Sequence, residues 1–179
     1  GNTANNTSYG KTDDAVSLKA LEHSSEQGIT FYDTSPAYGE GHSEVLIGRA
    51  LKPVRKDIVI ATKAGYQNWS DPPDFSADAI RRSVAGSLGR LQTDYIDLLQ
   101  LHNAPMDLLC DDPTIVGTLE ALVTEGTIRA WGFSVKSPAE GVAAIERFKP
   151  WVIQTNINML DMRAASSGLL YAATQNGTG

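Results

Sequence analysis

Apolar and polar positions alternate along this chain in two distinct rhythms. Five short runs rich in β-branched, aromatic and leucine residues predict strands over 29–35, 57–65, 95–103, 128–135 and 151–158. Several are apolar at consecutive positions, as in Ile58-Val59-Ile60-Ala61. Such runs are buried on both faces, which points to a parallel sheet covered by helices. Between them the period becomes helical: Ile80, Val84, Leu88 and Leu91 share one face, and so do Ile115, Leu119, Leu122 and Val123. Helices are predicted over 12–27, 43–52, 76–91, 112–125, 138–148 and 163–175. Ser137-Pro138-Ala139-Glu140 reads as a capping box with proline at the first helical position. Gly28 and Gly126 sit where helices should stop before strands. The polar start, Gly1 to Ser8, is expected to be mobile.

A helix followed by five strand–helix units builds either a doubly wound sheet or a parallel (β/α)8 barrel of the TIM type. No G-x-G-x-x-G follows a first strand, so the barrel is preferred, with three of eight strands missing. One domain over 1–179 is expected, with no linker and no low-complexity tract.

Composition narrows the function classes. With 15 Lys+Arg against 21 Asp+Glu the net charge is 15 − 21 = −6, which argues against general affinity for nucleic acid or an anionic membrane. No run approaches a membrane span, and no signal peptide is evident, so a cytoplasmic location is expected. Cys110 has no second thiol to pair with, and His23, His42 and His102 share no metal-ligand spacing, so no metal is expected. Gly39-Glu40-Gly41 reads as a turn rather than an anion site.

The chemistry gathers where the predicted strands end. Asp33, Lys63, His102, Ser134 and Gln154 each close an apolar run, and Tyr38 follows the first. Parallel strands in register would bring them to one mouth, the end at which barrels of this type carry their sites. Taken singly, each has a plain structural reading: a turn residue, a loop aromatic, a snorkelling lysine, a satisfied core histidine. Together they make chemical sense. A tyrosine of ordinary pKa is a poor proton donor unless a cation stabilises its phenolate. Lys63 is that cation, Asp33 holds its ammonium, and a neutral His102 can donate to a carbonyl oxygen beside Tyr38. The set holds no hydride source, so a cofactor must supply one.

These residues resemble the aldo-keto reductase family. FYDTSPAYGEGHSEVLIGRAL (31–51), ATKAG (61–65), SLGRLQTDYIDLLQLHN (87–103), GFSVKSPAE (132–140) and VIQTNINML (152–160) appear in the family's order. The resemblance implies a (β/α)8 barrel and a catalytic tetrad of Asp33, Tyr38, Lys63 and His102. It also implies NADPH, or less often NADH, with Ser134 and Gln154 bonding the nicotinamide carboxamide. The expected activity is reduction of an aldehyde or ketone to an alcohol. Val135 stands where the family usually has Asn. GNTANNTSYG does not read as the family's first strand, and the chain ends where the seventh would begin. The first, seventh and eighth strands are therefore expected to be absent, leaving apolar strand edges open to self-association. A truncated, non-catalytic relative is the alternative reading. A Schiff-base lyase using Lys63 is a more distant one. The loop 66–75, with Tyr66 and Trp69, predicts an apolar wall for the substrate.

Overall fold

The structure, a computed structural model, is described for residues 12–179. Readings that fall on the first eleven residues, including the mobile start, lie outside the described residues. In chain order the elements are α1 (Asp14–Glu26), β1 (Phe31–Asp33), α2 (His42–Leu51), a 3-10 turn (Lys52–Asp57), β2 (Val59–Ala64), α3 (Ala77–Leu91) and β3 (Ile96–His102). There follow α4 (Met106–Asp111), α5 (Pro113–Thr124), β4 (Ile128–Ser134), α6 (Pro138–Phe148), β5 (Val152–Gln154), α7 (Arg163–Ser166) and α8 (Leu169–Asn176).

The five strands form one parallel sheet in sequential order, β1-β2-β3-β4-β5. Helices cover one side of it, and the buried core lies between: Ile60, Leu99, Leu101 and Trp131 from strands meet Leu51, Ile80, Val84 and Leu119 from helices. The sheet curls toward the other side. This is five-eighths of a (β/α)8 barrel rather than a flat doubly wound sheet.

Local chemistry explains the element ends. Gly28 has φ of +85°, and Ile29 N–H returns to Ser24 O, so the left-handed turn ends α1 and starts the path into β1. Ser137 Oγ accepts from Glu140 N–H at α6, while the Glu140 carboxylate takes the Lys136 N–H instead of that of Ser137. Gly39-Glu40-Gly41 forms a left-handed turn closed by His42 N–H to Gly39 O. Beside Gly41 the space belongs to Arg90: a Cβ there would come within 2.5 Å of its Cδ.

Three expectations need correction. The helix expected over 163–175 is two helices, because Gly168 adopts φ of +85° between them. The six-residue α4 was not expected; it is too short to show a helical period, and Leu109 alone of its residues is buried. The strands at the sheet edges are shorter than predicted, three residues each in β1 and β5, since on one side they have no partner strand among the described residues.

The lower ends of the strands carry an ion cluster. Asp97 Oδ2 accepts from Arg55 at 2.6 Å and from Ile60 N–H at 3.0 Å, and Oδ1 accepts from Arg129 at 2.9 Å. The two guanidinium groups each sit 4.0 Å from the centre of the Tyr95 ring. A carboxylate thus replaces one rung between β2 and β3, with both its oxygens satisfied.

Candidate active site

Strand register puts the polar strand-end residues on one face. Asp33 pairs with Ala61, two residues before Lys63; Lys63 pairs with Gln100, two before His102; His102 pairs with Ser134, and Ser134 with Gln154. Residues two apart in a strand share a face, so all five side chains occupy the concave side. The staggered climb from β1 to β3 brings Asp33, Lys63 and His102 to the mouth.

Lys63 is fully buried yet well partnered. Its Nζ donates to Asp33 Oδ1 and Oδ2 at 2.7 and 2.8 Å and to the Thr34 carbonyl at 2.9 Å. Burial lowers its pKa from the ordinary lysine value, and the bonds and charge of Asp33 oppose that fall. The ammonium lies 5.2 Å from the centre of the Tyr38 ring. The Tyr38 ring stands edge-on to His102, with ring centres 6.1 Å apart.

His102 is buried, and its pKa is pushed down to about 4, first by burial and then by the positive charge of Lys63. At neutral pH it is a neutral imidazole, with one nitrogen donating and one accepting. Its Nδ1 is 3.3 Å from Ser35 Oγ. Aromatic rings crowd it from the side: Trp69 at 5.1 Å and Tyr66 at 5.6 Å, centre to centre. The loop wall expected at Tyr66 and Trp69 therefore stands beside the histidine.

Tyr38, Lys63, His102, Ser134 and Gln154 line one cleft of about 400 Å³, together with Val135, Lys136 and Asn156. A larger hollow of about 590 Å³ opens on the free side of β1, against α1 and α2. It is the groove beside an edge strand, and Tyr38 lines both spaces.

Gln154 is informative about a ligand. Its Nε2 donates to Asp33 Oδ2 at 3.2 Å, while its Oε1 is buried without a hydrogen-bond partner. An orphaned acceptor costs free energy until a donor arrives, and the amide N–H of a carboxamide is such a donor. Ser134, one strand away in the same row, offers a hydroxyl. The donor set fits a nicotinamide. Among the described residues, no group of three or more His, Cys, Asp or Glu side chains is placed to hold a metal. No described helix is long and apolar enough to cross a membrane.

Three participants escaped the sequence reading. Ser35 partners His102; Thr34 supplies a carbonyl to Lys63 and a hydroxyl hydrogen bond to Ser43; Gln100, in register with Lys63 and two residues before His102, is buried with an unpartnered Oε1. A two-residue step from Asp33 and from His102 finds Ser35 and Gln100, since that step keeps the face.

Comparison with known proteins points the same way. The model of the aldo/keto reductase family matches residues 1–179. The chain is 36% identical over 172 residues to the aldo-keto reductase YhdN of Bacillus subtilis, covering 93% of this chain and 51% of that protein. It is 31% identical to the NADH-specific methylglyoxal reductase of Escherichia coli, covering 94% and 56%. The holo form of an aldo-keto reductase from Bacillus halodurans superposes with a TM-score of 0.84 at 34% identity, covering 94% of this chain and 57% of that one. An aldo/keto reductase from Klebsiella pneumoniae in complex with NADP and acetate gives 0.75 at 28%, covering 92% and 56%. The chain spans about half the length of these relatives.

Proposed function

Because the chain belongs to the aldo/keto reductase family, we propose that it carries the catalytic half of a nicotinamide-dependent carbonyl reductase, with Tyr38 as general acid. One observation carries the reading: both oxygens of Asp33 hold the buried Lys63 ammonium beside the Tyr38 ring. A fixed cation there makes loss of the phenol proton easier, since it stabilises the phenolate left behind. The neutral His102 donates a hydrogen bond to the substrate carbonyl oxygen and sets it against Tyr38. As negative charge develops on that oxygen, Tyr38 delivers its proton to it. Ser134 and the Gln154 amide hold the carboxamide of the cofactor, which when bound supplies the hydride to the carbonyl carbon.

NADPH is the proposed cofactor, with NADH the alternative. The aromatic wall of Tyr66 and Trp69 favours an aldehyde or ketone with an apolar substituent. The lyase reading has less support, because a Schiff base needs a free amine and Lys63 is engaged as an ammonium. Residues 1–179 are proposed to act as one domain.

The test is direct. Purified protein is titrated with NADPH by tryptophan fluorescence and then assayed with a panel of aldehydes and ketones. Saturable binding with NADPH oxidation that depends on the carbonyl is expected. Binding without turnover would support the non-catalytic alternative, and absence of both would defeat the proposal.

A further inference from the structure

We propose that Ser35 selects the tautomer of His102, keeping the proton on Nε2 and leaving Nδ1 as an acceptor. Ser35 is thereby a positioning residue; its value for catalysis rests on the reductase reading, whereas the tautomer does not.

The argument is one of hydrogen-bond supply. Ser35 Oγ is wholly buried and lies 3.3 Å from His102 Nδ1. It already accepts a bond from Ala37 N–H at 3.1 Å. With that donor occupying one side of the oxygen, the hydroxyl proton needs an acceptor, and His102 Nδ1 is placed to take it. If Nδ1 carried the proton instead, the two hydrogens would face each other or the serine proton would be buried unpaired. An unpaired buried donor is costly enough to bias the tautomers by about fivefold or more. Burial and the nearby Lys63 keep the ring neutral, so choosing the acceptor nitrogen also chooses the donor. With Nδ1 turned to Ser35, the N–H left is Nε2, on a ring that lines the cleft.

Ser35 also ties the histidine to the tyrosine. Its carbonyl accepts from Tyr38 N–H at 3.0 Å, closing the turn Ser35-Pro36-Ala37-Tyr38 that presents the phenol. One residue therefore sets the turn bearing Tyr38 by its backbone and the proton of His102 by its side chain. Asp33, two residues earlier on β1, does the corresponding work for Lys63.

The experiment is long-range ¹H–¹⁵N correlation on the 1–179 chain with ¹⁵N-labelled histidine at neutral pH, without cofactor. The His102 signals are assigned by their loss in His102→Asn. A pyridine-like Nδ1 and a pyrrole-like Nε2 are expected. In Ser35→Ala, checked for native circular dichroism, the two nitrogen shifts should move toward each other, and kcat for carbonyl reduction should fall about 3- to 10-fold with little change in cofactor affinity. A wild-type spectrum with the proton on Nδ1 overturns the proposal, whether or not the variant folds. So does a Ser35→Ala spectrum identical to wild type. A chain that reduces no carbonyl yet shows the Nε2–H tautomer defeats the reductase reading and supports this one.

Discussion

Gln154, on the last strand of the sheet, donates a hydrogen bond to Asp33, on the first, across 3.2 Å. The two strands are separated by three others, so the bond measures how far the sheet has curled. It also links the lysine's counter-ion to the side chain proposed to hold the cofactor. Asp33 Oδ2 thus receives Lys63 from one side and Gln154 from the other.

Gln154→Leu should weaken nicotinamide cofactor binding about 3- to 10-fold, the scale of one net hydrogen bond. Thermal stability should change little, since the substitution removes an orphaned buried acceptor along with the bond to Asp33. Fluorescence titration checks this. An unchanged dissociation constant would take Gln154 out of the cofactor site.

Tyr38→Phe should lower kcat by about 10²- to 10⁴-fold with cofactor affinity nearly intact, because only the phenol proton is lost. Lys63→Met should be comparably damaging, and the double variant no worse than the poorer single one, as expected of groups acting as a unit. Losses that multiply in full would show that the ammonium and the phenol work independently.

His102 also predicts a pH dependence of stability. Its folded-state pKa, about 4, lies below the ordinary value of 6.5, so between these pH values the unfolded chain binds more protons than the folded one. Stability from this residue is complete above about pH 6.5 and is lost as pH falls toward 4, on the order of 2–4 kcal/mol in all. Urea unfolding of wild type and His102→Gln at several pH values isolates the contribution. The difference between the two slopes should vanish above pH 7.

Most of this architecture was legible because parallel strands buried on both faces leave apolar runs, each closed at its C-terminal end by a polar side chain. Asp33, Lys63, His102, Ser134 and Gln154 were all read in that way, and register alone then fixes their shared face. What escaped were features with no pattern longer than a few residues. The short α4 has one buried residue, and the break at Gly168 depends on a single backbone angle. Ser35 escaped because a serine before proline reads as turn chemistry, although its hydroxyl is spent on a histidine 67 residues away.

The edges of the sheet give a further expectation. Phe31 on β1 is 54% exposed and Trp151, just before β5, is 57% exposed, and no proline interrupts either strand. Gly179 exchanges backbone hydrogen bonds with Trp151 and Ile153, which covers part of the β5 edge and shows that its geometry suits strand pairing. We propose that the 1–179 chain by itself self-associates through these edges or melts at low temperature. Sedimentation velocity and thermal melting decide this. A monodisperse monomer with an ordinary Tm would refute it.

The cluster around Asp97 has a consequence for how such a protein can change. Asp97 and His102 lie on the same strand, five residues and about 17 Å apart. Arg55, Arg129 and Tyr95 clamp the lower end of that strand, and none of them lines the cleft. Loops at the mouth can therefore be lengthened, swapped or re-lined with new aromatics while the strand stays in register. Mutational scans should find the two ends of β3 intolerant for separate reasons: substitutions at Asp97 deplete soluble protein, whereas substitutions at His102 deplete turnover beyond any loss of abundance. A lineage built this way can explore new substrates without gambling its fold on each trial.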